Sequence, residues 1–235
     1  MEATDISLEI PAPTMHTLAV SSPRPGVVRV TSMLSSSCYR PDWDENALAA
    51  RLQFPGVSAR DFAVRRFDAS RGIVDIDFTP AQDNVITRRW LESVEVGSVT
   101  RLAGVDSDNL PNFASGRRVL LFADESSVAA VHSILSKWPP SARGTVWIDT
   151  PHPADVANLP DVDGVGVVSF HVEMGFDPLV TAARRVELDS TTTVWAAGER
   201  GRMDAIRATC HAAGLSPNDI RVFGYWSAGR KLQHV

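Results

Sequence analysis

The two halves of this chain differ in the spacing of their apolar residues. In the first half, residues 61–67 and 73–78 alternate apolar and polar positions around the turn-forming residues 68–72, which is typical of a β-hairpin. Further strand candidates lie at residues 27–31, 48–54 and 99–104, and the second of these also fits a helix. Together these segments predict a small antiparallel β-barrel.

One helix interrupts this β pattern. Apolar residues recur at helical spacing from Val85 to Val94, and Gly97 ends the run, which predicts a short helix crossing the barrel. The next segment, residues 106–116, is polar and rich in turn residues, so we place the domain boundary there. The predicted domains are a barrel at residues 27–114 and a second domain at residues 115–235.

The second half has a different pattern, in which short apolar runs alternate with helical periodicity. Residues 118–123 are continuously apolar, as expected for a strand buried on both faces. The other predicted strands are residues 145–149, 165–170, 192–197 and 220–225, and the predicted helices are residues 126–138, 179–186 and 203–213. Alternation of this kind predicts an α/β domain with a parallel sheet of the nucleotide-binding type.

Composition narrows the function classes. The 235 residues carry a formal net charge of -5, which argues against a general nucleic-acid binder. No run of about 18 or more apolar residues occurs and the start is acidic, so we expect a cytoplasmic protein without a membrane span. Cys38 and Cys210 form no Cys-x-x-Cys motif, and neither a disulfide nor a metal site is expected. Residues 1–26 hold four prolines with little periodicity, which predicts a flexible leader.

Candidate chemistry follows three buried strands directly, at residues 124–127, 198–201 and 225–226. Ligands of parallel sheets bind beyond the carboxyl ends of the strands, so convergence there predicts a binding site. A helix beginning near Ser126 would offer backbone amides to a pyrophosphate.

Structural interpretations of the same residues stay open. Asp124 or Ser126 would then only cap the following helix. Glu199 would join Arg202 and Arg207 in a surface ion-pair network. The aromatic pair at residues 225–226 would belong to the core.

Three carboxy-terminal features carry a family resemblance. They are Trp195-Ala196-Ala197-Gly198-Glu199, a helix with Arg202 and Arg207, and Gly224-Tyr225-Trp226 with Gly229. Together they resemble the end of siderophore-interacting proteins, which are FAD- and NAD(P)H-dependent ferric-siderophore reductases of the ferredoxin-reductase superfamily. Residues 123–130 are similar to the family's Gly-Asp-Glu-Thr-Ala-Leu-Pro-Ala stretch, with Ala129 in place of the proline. The resemblance weakens toward the amino terminus and covers roughly residues 27–231.

The resemblance assigns roles to specific positions. Tyr225 and Trp226 would lie near the isoalloxazine and shape the electron-transfer site. The residues implied to border NADPH or NADH are Asp124, Glu125, Ser126, Gly198 and Glu199. Arg60, Phe62 and Ala63 fall on the flavin-binding strand motif, where an arginine meets phosphate and the aromatic ring stacks on the flavin.

The flavin half also departs from the family pattern. Ala63 replaces a threonine whose hydroxyl hydrogen-bonds the central ring. Residues 81–90 keep only Trp90 of a stretch containing His-Gly and Gly-Pro-Ala-Ser, although Thr87, Arg88 and Arg89 at a helix start offer another phosphate site. The two arginines equally fit a solvated helix face. Later, Gly104-Val105 stands where the family has Gly-Pro.

Two functional hypotheses follow. The first is a monomeric ferric-siderophore reductase that passes electrons from NAD(P)H through FAD, with Arg65, Arg230 and Lys231 contacting an anionic siderophore. The second is a non-catalytic, flavin-poor relative that binds siderophores or has a regulatory role, since several flavin contacts are missing together. A reductase with another electron acceptor is a third option, which the sequence does not separate from the first.

Overall fold

The computed structural model describes residues 13–35, 49–54, 58–80, 85–106, 109–171 and 175–228. They form a closed antiparallel barrel followed by a five-stranded parallel sheet with helices, which confirms the predicted fold class. No helix within these ranges has the length and apolar character needed to cross a membrane.

The barrel consists of six strands that close in the order β1-β2-β5-β4-β3-β6. Their bounds are β1 Thr14–Arg24, β2 Val27–Leu34, β3 Ala49–Gln53, β4 Arg60–Asp68, β5 Ile73–Phe78 and β6 Val99–Asp106. Helix α1, Val85–Ser93, follows β5, and its Trp90 ring lies 5.1 Å from Phe54 and 5.3 Å from Phe78. The helix therefore closes one end of the barrel core.

The amino-terminal strand corrects the predicted leader. Residues 14–24 were expected to be flexible, but β1 pairs with both β2 and β6. Met15 and Thr17 point inward and are buried, an alternation that proline content obscured in the sequence. Residues 1–12 lie outside the described residues.

Pairing on both sides also decides the ambiguous segment at residues 48–54. Ala49–Gln53 forms β3, which bonds to β4 and β6, so the strand interpretation is correct. Five residues are too few for a stable helix, whereas a strand of this length is held by its two neighbours.

The parallel sheet has the order β11-β10-β7-β8-β9. Its strands are β7 Arg118–Asp124, β8 Arg143–Asp149, β9 Val165–Phe170, β10 Thr192–Glu199 and β11 Ile220–Trp226. The helices are α2 Val128–Ser136, α3 Pro153–Ala157, α4 Pro178–Arg185 and α5 Arg200–Ala212. The short α3 was not predicted, α2 begins two residues later than expected, and α5 begins three residues earlier.

Helices cover the sheet on both faces. Ile134 of α2 belongs to the core on one face, and Leu179 of α4 and Met203 of α5 belong to the core on the other. Ala63 of β4 joins the α2 side of this core, so barrel and sheet pack directly against each other. A buried ion pair from Arg24 Nε to Asp155 Oδ1, 2.5 Å long, links β1 to α3 across the same boundary.

Candidate functional site

A cleft opens between barrel strand β4 and the end of β11. We call it the ring cleft; it comprises two adjoining cavities of about 450 Å³ and about 50 Å³. Both are lined by Arg60, Asp61, Phe62, Ala63 and Tyr225. Ser126 and Trp226 line the smaller cavity, whereas Arg200 and Gly224 line the larger one.

The barrel wall of the ring cleft presents a cation and an aromatic ring. Arg60 Nη1 donates to Thr87 Oγ1 at 3.3 Å, which ties β4 to the first turn of α1. The guanidinium also lies 5.6 Å from the ring centroid of Phe62. Phe62 is only 8% exposed, because its ring packs 4.9 Å from Phe78 and 5.8 Å from Phe54. Most of this aromatic ring therefore belongs to the barrel core, and only part of it faces the cleft.

Ala63 contributes no polar group to the cleft. Its methyl group is buried in the core shared with α2 and β7. A hydrogen-bond donor expected at this position by family resemblance is therefore absent from the side chain.

Asp124, the last residue of β7, is the most heavily bonded carboxylate of the site and is 2% exposed. Its Oδ1 accepts from Ser126 N at 2.9 Å and Ser126 Oγ at 2.5 Å. Its Oδ2 accepts from Glu199 N at 2.7 Å and Trp226 Nε1 at 3.0 Å. Burial raises the pKa of Asp124, and these hydrogen bonds oppose the rise. The carboxylate thus joins the ends of three neighbouring strands.

The capping interpretation of these residues is wrong. The residue before α2 is Ser127, whose hydroxyl makes no capping bond and instead donates to Asp124 O and Ala197 O. Asp124 and Ser126 lie before the helix and bond to each other, and Asp124 also accepts hydrogen bonds from the ends of β10 and β11.

Gly198 and Glu199 are used by the protein itself. A β-carbon on Gly198, which has φ +154°, would lie 2.5 Å from Asp124 Oδ2, so the close approach predicted there is made by a carboxylate. Glu199 caps α5, because its Oε2 accepts from Arg202 N at 3.0 Å. Its Oε1 accepts from Ala228 N at 3.2 Å and thereby ties down the end of the described chain.

The predicted network of Glu199 with Arg202 and Arg207 does not form. Arg202 instead bridges Asp149 and Asp177, at 2.6 Å to each. Arg207 pairs with Asp204 and donates to a strand carbonyl. Sequence reasoning missed the Asp149-Arg202-Asp177 bridge, since its members lie on three separate elements and share no motif.

Tyr225 and Trp226 are half-buried and line the ring cleft. The core interpretation of the pair therefore describes them only in part, because Tyr225 packs against the α2 side of the core and also faces the cleft.

A second cavity, of about 340 Å³, lies beside the ring cleft between the barrel and the start of α2. We call it the arginine cavity, because Arg24, Arg29 and Arg65 line it together with Asp77 and Glu125. Ser126 and Asp77 line both this cavity and the smaller part of the ring cleft.

Arg29 and Arg65, in the arginine cavity, differ in how closely they approach the carboxylate of Asp77. Arg29 binds Asp77 through two bonds of 2.6 and 2.8 Å, whereas Arg65 Nη1 is 3.7 Å from the same carboxylate. Burial lowers the pKa of Arg65 and raises the pKa of Glu125. Arg24 and Arg29 were not predicted as site residues, because the first lay in the supposed leader and the second in an ordinary strand pattern.

Helix α1 carries Thr87, Arg88 and Arg89, none of which lines the ring cleft or the arginine cavity. Thr87 is buried under Arg60, while Arg88 and Arg89 are exposed on α1, as in the solvated-face interpretation. Arg230 and Lys231 fall outside the described residues. No metal-binding group of His, Cys, Asp or Glu occurs within the described ranges.

Comparison with known proteins agrees with this architecture. The family profile for siderophore-interacting proteins matches residues 116–229. The ferric acinetobactin reductase of Acinetobacter baumannii is 30% identical over 225 residues, covering 92% of this chain and 78% of that protein. A solved siderophore-interacting protein from A. baumannii has a TM-score of 0.81 at 30% identity, covering 92% of this chain and 91% of that one. A siderophore utilization protein from T. fusca has a TM-score of 0.74 at 25% identity, covering 92% of each chain. The resemblance inferred from the carboxy-terminal motifs is thereby confirmed, and the chain belongs to the siderophore-interacting protein family.

Proposed function

We propose that this protein is a ferric-siderophore reductase that uses NAD(P)H and FAD. The observation that carries the proposal is the ring cleft, where an arginine and an aromatic ring of the barrel face Tyr225 and Trp226 of the sheet. The likeness to a relative named for ferric acinetobactin reduction supports the substrate class.

The donor set of the ring cleft fits FAD at two places. Arg60, held by Thr87 at the start of α1, presents a guanidinium of the kind that binds phosphate. Tyr225 and Trp226 offer aromatic surface for a flat ring at the opposite wall. At a third place, Ala63 lacks the hydroxyl that would bond the flavin, which weakens the fit without removing it.

Chain residues bind and orient the reactants in this proposal. When bound, FAD would supply the redox chemistry: it would accept a hydride from the nicotinamide and pass the two electrons singly to two ferric complexes. Glu125 and Ser126 are the predicted nicotinamide neighbours that line cavities, whereas Asp124, Gly198 and Glu199 are occupied by internal contacts. We therefore propose that Asp124, Gly198 and Glu199 support the wall of the nicotinamide pocket and do not touch the dinucleotide.

The siderophore supplies the ligands of the iron in this proposal, so the protein needs no metal site of its own. We propose that Arg65 attracts an anionic ferric siderophore together with Arg230 and Lys231, as predicted from charge. Reduction to ferrous iron weakens the hold of hard oxygen ligands, and the metal is released.

The first experiment is a visible absorption spectrum of the purified protein and a titration with FAD followed by flavin fluorescence. We expect stoichiometric FAD binding, anaerobic bleaching of the flavin by NADPH or NADH, and release of iron from a ferric siderophore. A ferrous-specific chelator traps the released iron.

Arg60→Met should weaken FAD binding roughly 10- to 100-fold, because a charged hydrogen bond is worth about 1.5–3 kcal/mol. Arg71→Met, in the exposed β4–β5 turn, is the matched control.

The second candidate function is a flavin-poor siderophore-binding protein, and the apolar, buried Ala63 favours it. A colourless protein that does not respond to micromolar FAD, yet whose tryptophan fluorescence is quenched by a ferric siderophore, would establish that function and reject the reductase.

A further inference from the structure

The indole of Trp226 is held by a buried carboxylate that does not itself line the ring cleft. Its Nε1 donates to Asp124 Oδ2 across 3.0 Å, and the same oxygen accepts from Glu199 N at the end of β10. Trp226 ends β11 and Asp124 ends β7, so the bond joins the strands that come last and first along the chain in the sheet domain. An indole held at its only polar atom has one preferred ring orientation.

Asp124 is well suited to hold that orientation. Its four hydrogen-bond donors in the described part of the chain are two groups of Ser126, in the turn after β7, and one group each at the ends of β10 and β11. No basic side chain in that part of the chain forms an ion pair with it. Each carboxylate oxygen accepts two of these bonds, so neither oxygen acts as a donor, which is the arrangement that an ionised carboxylate satisfies. Gly198 leaves the space that the carboxylate fills.

The anchored ring lies on the wall of the proposed flavin site. Trp226 lines the smaller cavity of the ring cleft together with Phe62, Ala63 and Ser126. That cavity measures only about 50 Å³, so rotation of the indole would change its width appreciably. Asp124 itself lines neither part of the ring cleft, so any influence it has on a bound ring passes through Trp226 or Ser126.

We propose that Asp124 is a positioning residue that fixes the Trp226 indole in one orientation, so that the ring cleft is shaped for the flat ring of the flavin before it binds. The flavin part of this inference rests on the proposed function. The fixed indole is a property of the protein alone and is measured without cofactor.

Exchange of the indole N–H with solvent tests the anchor directly. In protein labelled with ¹⁵N, six tryptophans give six indole signals, and Trp226→Phe identifies the one from Trp226. We expect this N–H to exchange at least about tenfold more slowly than a free indole, and Asp124→Asn to speed it up. Exchange at the free-indole rate in the wild type would overturn the inference, even if no Asp124 variant folds.

A double-mutant cycle on FAD affinity separates positioning from general structural support. Asp124→Asn should raise the FAD Kd by about 5- to 30-fold in the wild type and by less than about twofold in the Trp226→Phe background. Equal effects in both backgrounds would show that Asp124 acts independently of Trp226 and would overturn the inference. Asp219→Asn is the control, because this buried carboxylate pairs with Arg117 instead and lines neither part of the ring cleft.

Failure of the proposed function is distinguishable from failure of the bond between Asp124 and Trp226. If the wild type binds no FAD, the reductase proposal falls, together with the flavin part of this inference. Slow exchange of the Trp226 N–H that depends on Asp124 would then still establish the anchor.

Discussion

Asp124 occupies the space that a side chain at Gly198 would need. An added β-carbon would lie 2.5 Å from Oδ2 and 2.6 Å from Cγ of the aspartate, and the backbone φ of +154° already disfavours any other residue. The glycine therefore lets the buried carboxylate reach the ends of β10 and β11.

Gly198→Ala should lower the free energy of unfolding by about 2–4 kcal/mol, from backbone strain and overpacking combined. Urea denaturation measures the loss. Gly166→Ala in β9 is the matched control, since a β-carbon there meets nothing within 4 Å, and its effect should stay within about 1 kcal/mol. Similar losses for both variants would contradict the assignment of Gly198.

Removing the cation of the buried ion pair between barrel and sheet domain should cost far more stability than removing the cation of an exposed pair. Arg24→Met leaves Asp155 buried without its cation and should cost about 3–5 kcal/mol, because the two side chains are only 9% and 8% exposed. Arg51→Met breaks a pair whose side chains are 51% and 48% exposed and should cost less than about 1 kcal/mol. Denaturant unfolding of the two variants in parallel checks the difference, and equal losses would refute it.

Glu125→Gln should become more stable relative to the wild type as the pH rises. Burial raises the pKa of Glu125, so folding favours its protonated form. This contribution is complete below the unfolded pKa and is lost as the pH rises through the folded value, whereas glutamine stays neutral. Unfolding midpoints of both proteins at about pH 4 and about pH 7 give the trend. Glu92→Gln, on the exposed face of α1, controls for the loss of one charge.

The Cys210 thiol should be inert in the folded protein. It is buried in α5, and burial raises its pKa to about 11. Relative to an unperturbed thiol, about 100-fold less thiolate forms near neutral pH. In a Cys38→Ser variant, where Cys210 is the single thiol, a disulfide reagent should react slowly until guanidinium unfolds the chain. Rapid reaction of the native variant would show that α5 opens readily.

Local patterns in the sequence determined most of the fold. Alternation at residues 61–67 and 73–78 indicated the hairpin of β4 and β5, and the apolar run at residues 118–123 indicated the central strand β7, because strand periodicity depends only on which faces are buried. The carboxy-terminal motifs indicated the family, because each of them is a short run of residues that is recognisable without the tertiary structure.

Only the tertiary structure decided how the site is built. The sequence placed Asp124, Gly198 and Trp226 at three strand ends, but it did not reveal that the carboxylate bonds the indole through the space left by the glycine. Likewise, nothing local distinguished β1 from a flexible leader, because its partners β2 and β6 lie at other points of the chain. Hydrogen bonds between residues about 100 positions apart depend on strand order, and strand order is a property of the folded sheet.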